Sequence, residues 1–137
     1  MEAIRACTRG HTGSMATAHF SGPEEAVRGT AMLMLEEGLN LLLELAMARV
    51  AQAFNVVVQM FADATRGVEK VVSVTEIQER EGRVLYRELV RWEPSGNDFL
   101  GPGRWVVVDV PSPEAQAAMM RYGVRRGEIE EVFGDQR

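Results

Sequence analysis

The chain has 137 residues, a length that favours one domain, and 46% of them are hydrophobic and 26% charged. A net charge of −5 argues against a general nucleic-acid-binding surface, which needs an excess of Lys and Arg. Cys7 is the only cysteine, so no internal disulfide can form and no oxidising compartment is needed. We therefore expect a cytoplasmic protein that binds no nucleic acid.

Residues 1–54 predict a short strand followed by two helices. Residues 1–9 are typical of the end of a helix, and Gly10–Ser14 is typical of a turn. Met15–Phe20 alternates larger or polar side chains with alanines, a pattern that predicts a strand. We expect this strand to lie beside the later strands, with one edge open to pairing.

The two predicted helices have start and stop signals. Ser21 is a candidate N-cap and Pro23 suits the first turn, so a helix is expected to run to about Glu37 and to stop at Gly38. Asn40 is a candidate N-cap for the second helix, which would end near Phe54. In the first helix we expect three residues in the core stripe: Met32, Leu33 and Leu35.

Residues 55–110 predict an antiparallel meander, and residues 111–137 a helical end. The expected strands are Val56–Phe61, Lys70–Gln78, Arg83–Trp92 and Trp105–Val110. Ser112 can cap a helix from Pro113 to about Tyr122, and Arg126–Phe133 predicts a final helix.

The sheet patterns also predict surface charges and a packing contact. Arg83, Arg87 and Arg91 alternate along one strand as a solvent face, with Glu76 and Glu88 as ion-pair partners, and Trp92 and Trp105 pack on each other's strands. The fold class is therefore α/β or α+β, a single domain over 1–137 with helices packed on a small sheet.

One segment, T-R-G-H-T-G-S-M-A-T-A-H, concentrates chemically active side chains. It holds both histidines, His11 and His19, and its glycines Gly10 and Gly13 allow a tight turn. Ser14 and Thr17 add hydroxyl groups, and together with an imidazole these can orient water or sense a γ-phosphate. Two simpler readings stay open: His11 as a helix cap with His19 as a hydrogen-bonded core residue, or the two histidines as the acid and base of an unrelated enzyme. Two histidines without a nearby cysteine do not predict a metal site.

The same run, followed by S-G-P-E-E-A, resembles the histidine box of the type II/type IV secretion ATPase superfamily. It is most similar to the branch that drives conjugation-type secretion and tight-adherence pilus assembly. Downstream, N-V-V-V-Q-M, then V-V-S-V-T-E-I and an E-G turn follow in the family's order, so the resemblance covers nearly the whole chain. Phe20 departs from it, because the family usually has a small residue after the second histidine.

The resemblance implies the C-terminal half of a RecA-like P-loop ATPase, ending in an antiparallel meander. It places His11 and His19 near the nucleotide as catalytic residues of an intact motor, with Gly10, Gly13, Ser14 and Thr17 close by. The parent family uses ATP and Mg²⁺ held by a P-loop, G-x-x-x-x-G-K-[ST]. No Gly-Lys pair occurs here, and we expect this chain to lack the Walker A and Walker B regions.

The implied function is therefore assembly rather than hydrolysis by this chain alone. We expect no cofactor for the chain by itself, and a partner that is either a P-loop-bearing protein or further copies of the chain. By resemblance, it would join secretion machinery at the inner membrane from the cytoplasmic side. The alternative is a free-standing interaction or regulatory domain that has lost nucleotide binding.

Overall fold

The structure is a computed structural model that describes residues 13–134. This part of the chain forms four helices and a four-stranded antiparallel sheet, which confirms a mixed fold of the α+β kind. The elements, in order, are α1 (Pro23–Glu36), α2 (Leu43–Ala53), β1 (Val56–Asp63), β2 (Val68–Arg80), β3 (Arg83–Pro94), β4 (Gly103–Val107), α3 (Pro113–Arg121) and α4 (Arg126–Phe133). None of the helices in the described range is long and apolar enough to cross a bilayer.

The chain divides into two compact units. The first takes in the described residues up to Gln59 together with Thr75–Tyr86, and so holds both helices α1 and α2. The second takes in Met60–Val74 and the described residues from Arg87 onward. Strands β1, β2 and β3 each contribute residues to both units. The order of the strands in the sheet, β1-β2-β3-β4, follows the chain.

The core of the first unit forms where α1 and α2 pack together and meet β2. On α1 the buried residues are four and then three positions apart, which is the spacing of one helix face. Several buried positions are alanines, whose small side chains allow the two helices to approach closely. The buried cluster consists of Val27, Ala31, Met34, Ala46, Val50, Ala51 and Ile77.

The core stripe predicted for α1 is largely wrong. Met32 and Leu33 are 42% and 56% exposed, and only Leu35 packs partly against the core. Each residue turns the helix by about 100°, so the face that buries Ala31 and Met34 directs the two residues between them outward. The prediction chose the most hydrophobic side chains. In the structure, the helix instead packs through the face that carries the small residue Ala31.

The predicted helix starts also need correction, although the stop at Gly38 is confirmed by its φ of 90°. The N-cap of α1 is Gly22, not Ser21, and it has no side-chain cap hydrogen bond. The N-cap of α2 is Leu42, so Asn40 lies two residues too early to cap it. Between Gly38 and α2 the chain instead makes a short turn, in which the Leu41 amide donates to a backbone carbonyl two residues earlier.

The strand predicted at Met15–Phe20 is wrong. Within the described residues the sheet has four strands, beginning with β1, and Met15–Phe20 is not among them. Alternation predicts which side chains share a face, but a strand also needs a neighbouring backbone to pair with its N–H and C=O groups. The segment therefore runs as irregular chain up to the start of α1.

The turn between β2 and β3 confirms the sequence prediction. Glu81 and Gly82 have φ values of 54° and 78°, as a two-residue hairpin turn of the I′ type requires. The Glu79 carboxylate accepts a hydrogen bond from the Gly82 amide at 2.6 Å, which fixes the turn from the β2 side. Glutamate is unusual at a positive φ, and this hydrogen bond helps to hold the conformation.

The second unit has its own packing. Trp92 of β3 pairs with Trp105 of β4, and their rings meet edge-on with centroids 4.8 Å apart, as predicted. Ser112 caps α3 as predicted, since its Oγ accepts from the Ala115 amide at 3.1 Å. From α4 only Ile129 is buried.

Candidate functional site

The structure describes four of the six residues predicted for the site. Gly13, Ser14, Thr17 and His19 lie in the irregular segment before α1, and all four are exposed. Gly13 has a φ of 84°, which fits the predicted turn. The other two, Gly10 and His11, lie outside the described residues.

The exposure of His19 contradicts its reading as a core residue, while the reading of His11 as a helix cap lies outside the described residues. A hydrogen-bonded core histidine would be buried, whereas His19 is open to solvent. Its imidazole and the hydroxyls of Ser14 and Thr17 can donate and accept hydrogen bonds. Binding pockets for small ligands enclose most of the ligand surface, whereas these side chains are open to solvent.

The segment is fixed at its C-terminal end by polar contacts with α1 and β1. The Phe20 carbonyl accepts a hydrogen bond from Nε2 of Gln59 on β1 at 3.2 Å. The next residue, Ser21, donates from its amide to Oε2 of Glu25 on α1 at 2.7 Å, and its hydroxyl donates to the same oxygen. The histidine-bearing segment thus has exposed side chains and an anchored end.

Phe20 adds an apolar contact to this anchor. A Cβ atom placed on Gly29 would lie 2.3 Å from Cε1 of the Phe20 ring, so the ring rests directly on the α1 backbone. Sequence reasoning noted Phe20 as unusual but missed Gly29. A helix with glycine in its interior is less stable than one with alanine there by about 1 kcal/mol. A glycine at such a position therefore suggests that a neighbouring group packs closely on the helix, and this was the available signal.

The described residues bring no metal site together. Between residues 13 and 134 no three His, Cys, Asp or Glu side chains are arranged so that they could hold a metal ion.

The V-S-V-T-E-I run lies on β2 and serves packing. Thr75, Glu76 and Ile77 are consecutive and all buried, so β2 is covered on both faces at this point. The surface position predicted for Glu76 is wrong, because alternation alone assigned its face to solvent, whereas the residue is buried.

The predicted arginine face does carry ion pairs. Arg91 contacts Glu88 at 3.1 Å, as expected, and Arg87 contacts Asp109 at 3.3 Å. These pairs are partly exposed, so each contributes only about 0–1 kcal/mol to stability.

Lys70 holds the loop between β3 and β4, a role that sequence reasoning missed. Its ammonium donates to the carbonyls of Leu100 and Gly101 at 3.3 and 3.2 Å. It also lies 3.5 Å from the centroid of the Trp92 ring, in a cation–π contact. Lys70 is the only lysine of the chain, in which all other Lys or Arg positions hold Arg. This use of lysine at a single position was the signal that could have drawn attention to it.

A second set of contacts fixes the same loop from the β1–β2 turn. The guanidinium of Arg66 makes two hydrogen bonds to the Asp98 carboxylate, both of 2.8 Å. The rings of Phe61 and Phe99 meet edge-on at 5.5 Å. The loop is therefore a fixed part of the second unit, although it has no regular structure of its own.

Comparisons with known proteins leave the family open. No protein-family model matches the chain, and no curated protein matches it at a significant level.

The Ser21–Glu25 contact gives a pH-dependent prediction. Hydrogen bonds from the Ser21 hydroxyl and then from its amide lower the pKa of Glu25 below its usual 4.5. Because the folded pKa is lowered, the contact stabilises the fold above pH 4.5 and is lost as the pH falls through the lowered pKa. Ser21→Ala removes the hydroxyl, and the pKa of Glu25 is expected to rise toward its usual value in an NMR titration of its carboxyl carbon. Ser95→Ala, an exposed change elsewhere, is the control, and an unchanged Glu25 titration in Ser21→Ala would contradict the assignment.

Proposed function

We propose that this chain is the C-terminal part of a secretion or pilus-assembly ATPase and supplies the histidine-box wall of a nucleotide site. A P-loop component, or further copies assembled with it, completes that site. The observation that carries the proposal is the exposed but anchored segment. Ser14, Thr17 and His19 face solvent, while Phe20 and Ser21 are held on α1 and β1.

The proposed roles follow the chemistry of each residue. Gly10 and Gly13 shape the turn, and His11 and His19 lie near the nucleotide. One of the two imidazoles orients the attacking water or relays the state of the nucleotide to a neighbouring subunit. Thr17 supports the second histidine. ATP and Mg²⁺ bind to the assembled site, and the chain alone hydrolyses no ATP.

The proposed architecture divides the motor into two parts. The P-loop component carries the parallel RecA-like sheet, and this chain adds helices and the antiparallel meander. The mixed fold, in which helices α1 and α2 precede the sheet within the described residues, is compatible with such a part. In the cell the assembly works in the cytoplasm and joins the inner membrane through its secretion partners.

Nucleotide binding by calorimetry tests the proposal in its first stage. Mg-ATP titrated into the chain alone is expected to give no binding at millimolar concentration, because no P-loop lysine is present. Binding that His11→Ala or His19→Ala abolishes would mean that the box binds nucleotide without a P-loop, and would overturn the proposal.

A reconstitution tests the second stage. The chain is mixed with a P-loop module of the same ATPase branch, and Mg-ATP hydrolysis is measured. Hydrolysis is expected only in the mixture, with a loss of at least about 100-fold for His19→Ala, the size typical of general acid–base groups. Asn97→Ala, an exposed change in the second unit, serves as the matched control. Hydrolysis that does not depend on His19 would count against the assigned role.

One observation favours the second candidate, an interaction or regulatory domain without nucleotide binding. Large apolar side chains are exposed on the two helices of the first unit and beside them: Met32, Leu33, Leu42 and Leu45. Exposed apolar groups of this kind mark protein contact surfaces. Light scattering, which measures molar mass, discriminates between the two candidates. Self-association that is the same with and without Mg-ATP and the P-loop module would favour the interaction domain.

A further inference from the structure

The contact between Phe20 and Gly29 is closer than any side chain at position 29 would allow. An ideal Cβ at Gly29 would lie 2.3, 2.8 and 3.1 Å from three successive atoms of the Phe20 ring. Carbon atoms that are not bonded to each other normally stay at least about 3.5 Å apart. Alanine at position 29 therefore requires the ring to move away from the helix.

The ring is one of four attachments made by two consecutive residues. The Phe20 carbonyl is held by Gln59, and the Ser21 amide and hydroxyl are held by Glu25. All of these groups belong to the first unit. His19 directly precedes the attached pair, and the described residues before it are exposed. The ring on Gly29 is therefore an apolar contact made by the residue that directly follows His19.

We propose that Phe20 and Gly29 form a positioning pair that sets the place and direction of the histidine-bearing segment. Phe20 acts through His19 and takes no part in chemistry itself. The inference rests on the proposed function of the histidine box. A displacement of about 1 Å at a reacting group can lower a rate by about 100-fold. A contact made by the residue next to His19 can therefore strongly change the rate of a reaction in which His19 takes part.

Two glycine-to-alanine changes in helices test the pair. Gly29→Ala displaces the ring, whereas Gly127→Ala in α4 is the matched control, because a Cβ there meets nothing within 4 Å. Hydrogen exchange of the Ser21 amide and the NMR resonances of the His19 imidazole are measured. We expect Gly29→Ala to speed exchange of the Ser21 amide by about tenfold and to shift the His19 resonances. Gly127→Ala is expected to change neither.

Coupling between the two residues completes the test. Phe20→Ala is expected to give the same two changes. The double variant, Phe20→Ala with Gly29→Ala, should show the same Ser21 exchange rate and His19 resonances as Phe20→Ala alone, since no ring remains to be displaced. Additive effects, or a Gly29→Ala protein identical to Gly127→Ala, would overturn the pair. Phe20→Leu, which leaves α1 intact, replaces Gly29→Ala if that variant does not fold.

The exchange and NMR test of the Phe20–Gly29 pair can succeed or fail independently of the proposed function. Neither readout uses nucleotide, so the pair can be established while reconstituted hydrolysis fails. In a working reconstitution, Gly29→Ala is expected to lower Mg-ATP hydrolysis by about tenfold or more at an unchanged melting temperature. Full hydrolysis in that variant, despite shifted His19 resonances, would overturn the positioning role and leave the proposed function standing.

Discussion

Replacing Ile77 by alanine is expected to destabilise the chain by about 2–5 kcal/mol. Ile77 is 1% exposed and is the β2 member of the buried cluster on α1 and α2. Removing its side chain loses apolar burial and leaves a cavity that closely packed helices cannot fill. Its amide also donates to the Asn55 carbonyl at 2.8 Å, and alanine preserves that bond, so the loss reports on packing.

Urea unfolding followed by far-ultraviolet circular dichroism measures this loss. Val58→Ala on β1 is the matched control, since Val58 is a β-branched strand residue of the same unit that is 52% exposed. A change within about 0.5–1 kcal/mol is expected there. Equal losses in the two variants would show that Ile77 is not the centre of this core.

Replacing Trp92 by alanine is expected to cost about 3–5 kcal/mol in the second unit. The side chain is 6% exposed, and its Nε1 donates to the Phe99 carbonyl at 2.8 Å. Its ring contacts Trp105 and lies under the Lys70 ammonium. The change therefore removes a large buried surface, one loop hydrogen bond and one cation–π contact together.

Calorimetric melting compares this variant with Trp105→Ala. Trp105 is 55% exposed, although its Nε1 donates to the Val71 carbonyl at 2.8 Å, so a loss of about 1–2 kcal/mol is expected. The order of the two losses is the test. A larger loss for Trp105 would place the centre of packing on β4 rather than on β3.

Local sequence signals predicted the hairpins and the C-terminal helices well. The Glu81-Gly82 turn and the Ser112 cap depend on residues close in the chain, so residue types alone predict them. The pairing of Trp92 with Trp105 followed from the strand order. The predicted strand at Met15–Phe20 failed because pairing needs a neighbouring backbone, which the pattern of one segment does not supply.

Burial was harder to predict where packing partners are distant in sequence. Glu76 is buried although its side chain is polar, and Leu33 is exposed although it is apolar. At the candidate site, residue types did not predict the exposure of Thr17 and His19, and the chemistry expected of them stays a prediction. The Phe20–Gly29 contact could not be predicted, because the sequence around each residue does not indicate that the other one contacts it in the folded chain.

The single lysine has a practical consequence. A protease that cuts only after lysine has one target in the chain, and the bond after Lys70 lies inside β2. Cleavage requires a local segment to leave the sheet, and here that also means breaking the contacts of Lys70 with Trp92 and the loop carbonyls. The appearance of two fragments therefore measures how often this strand opens, with no label or mutation.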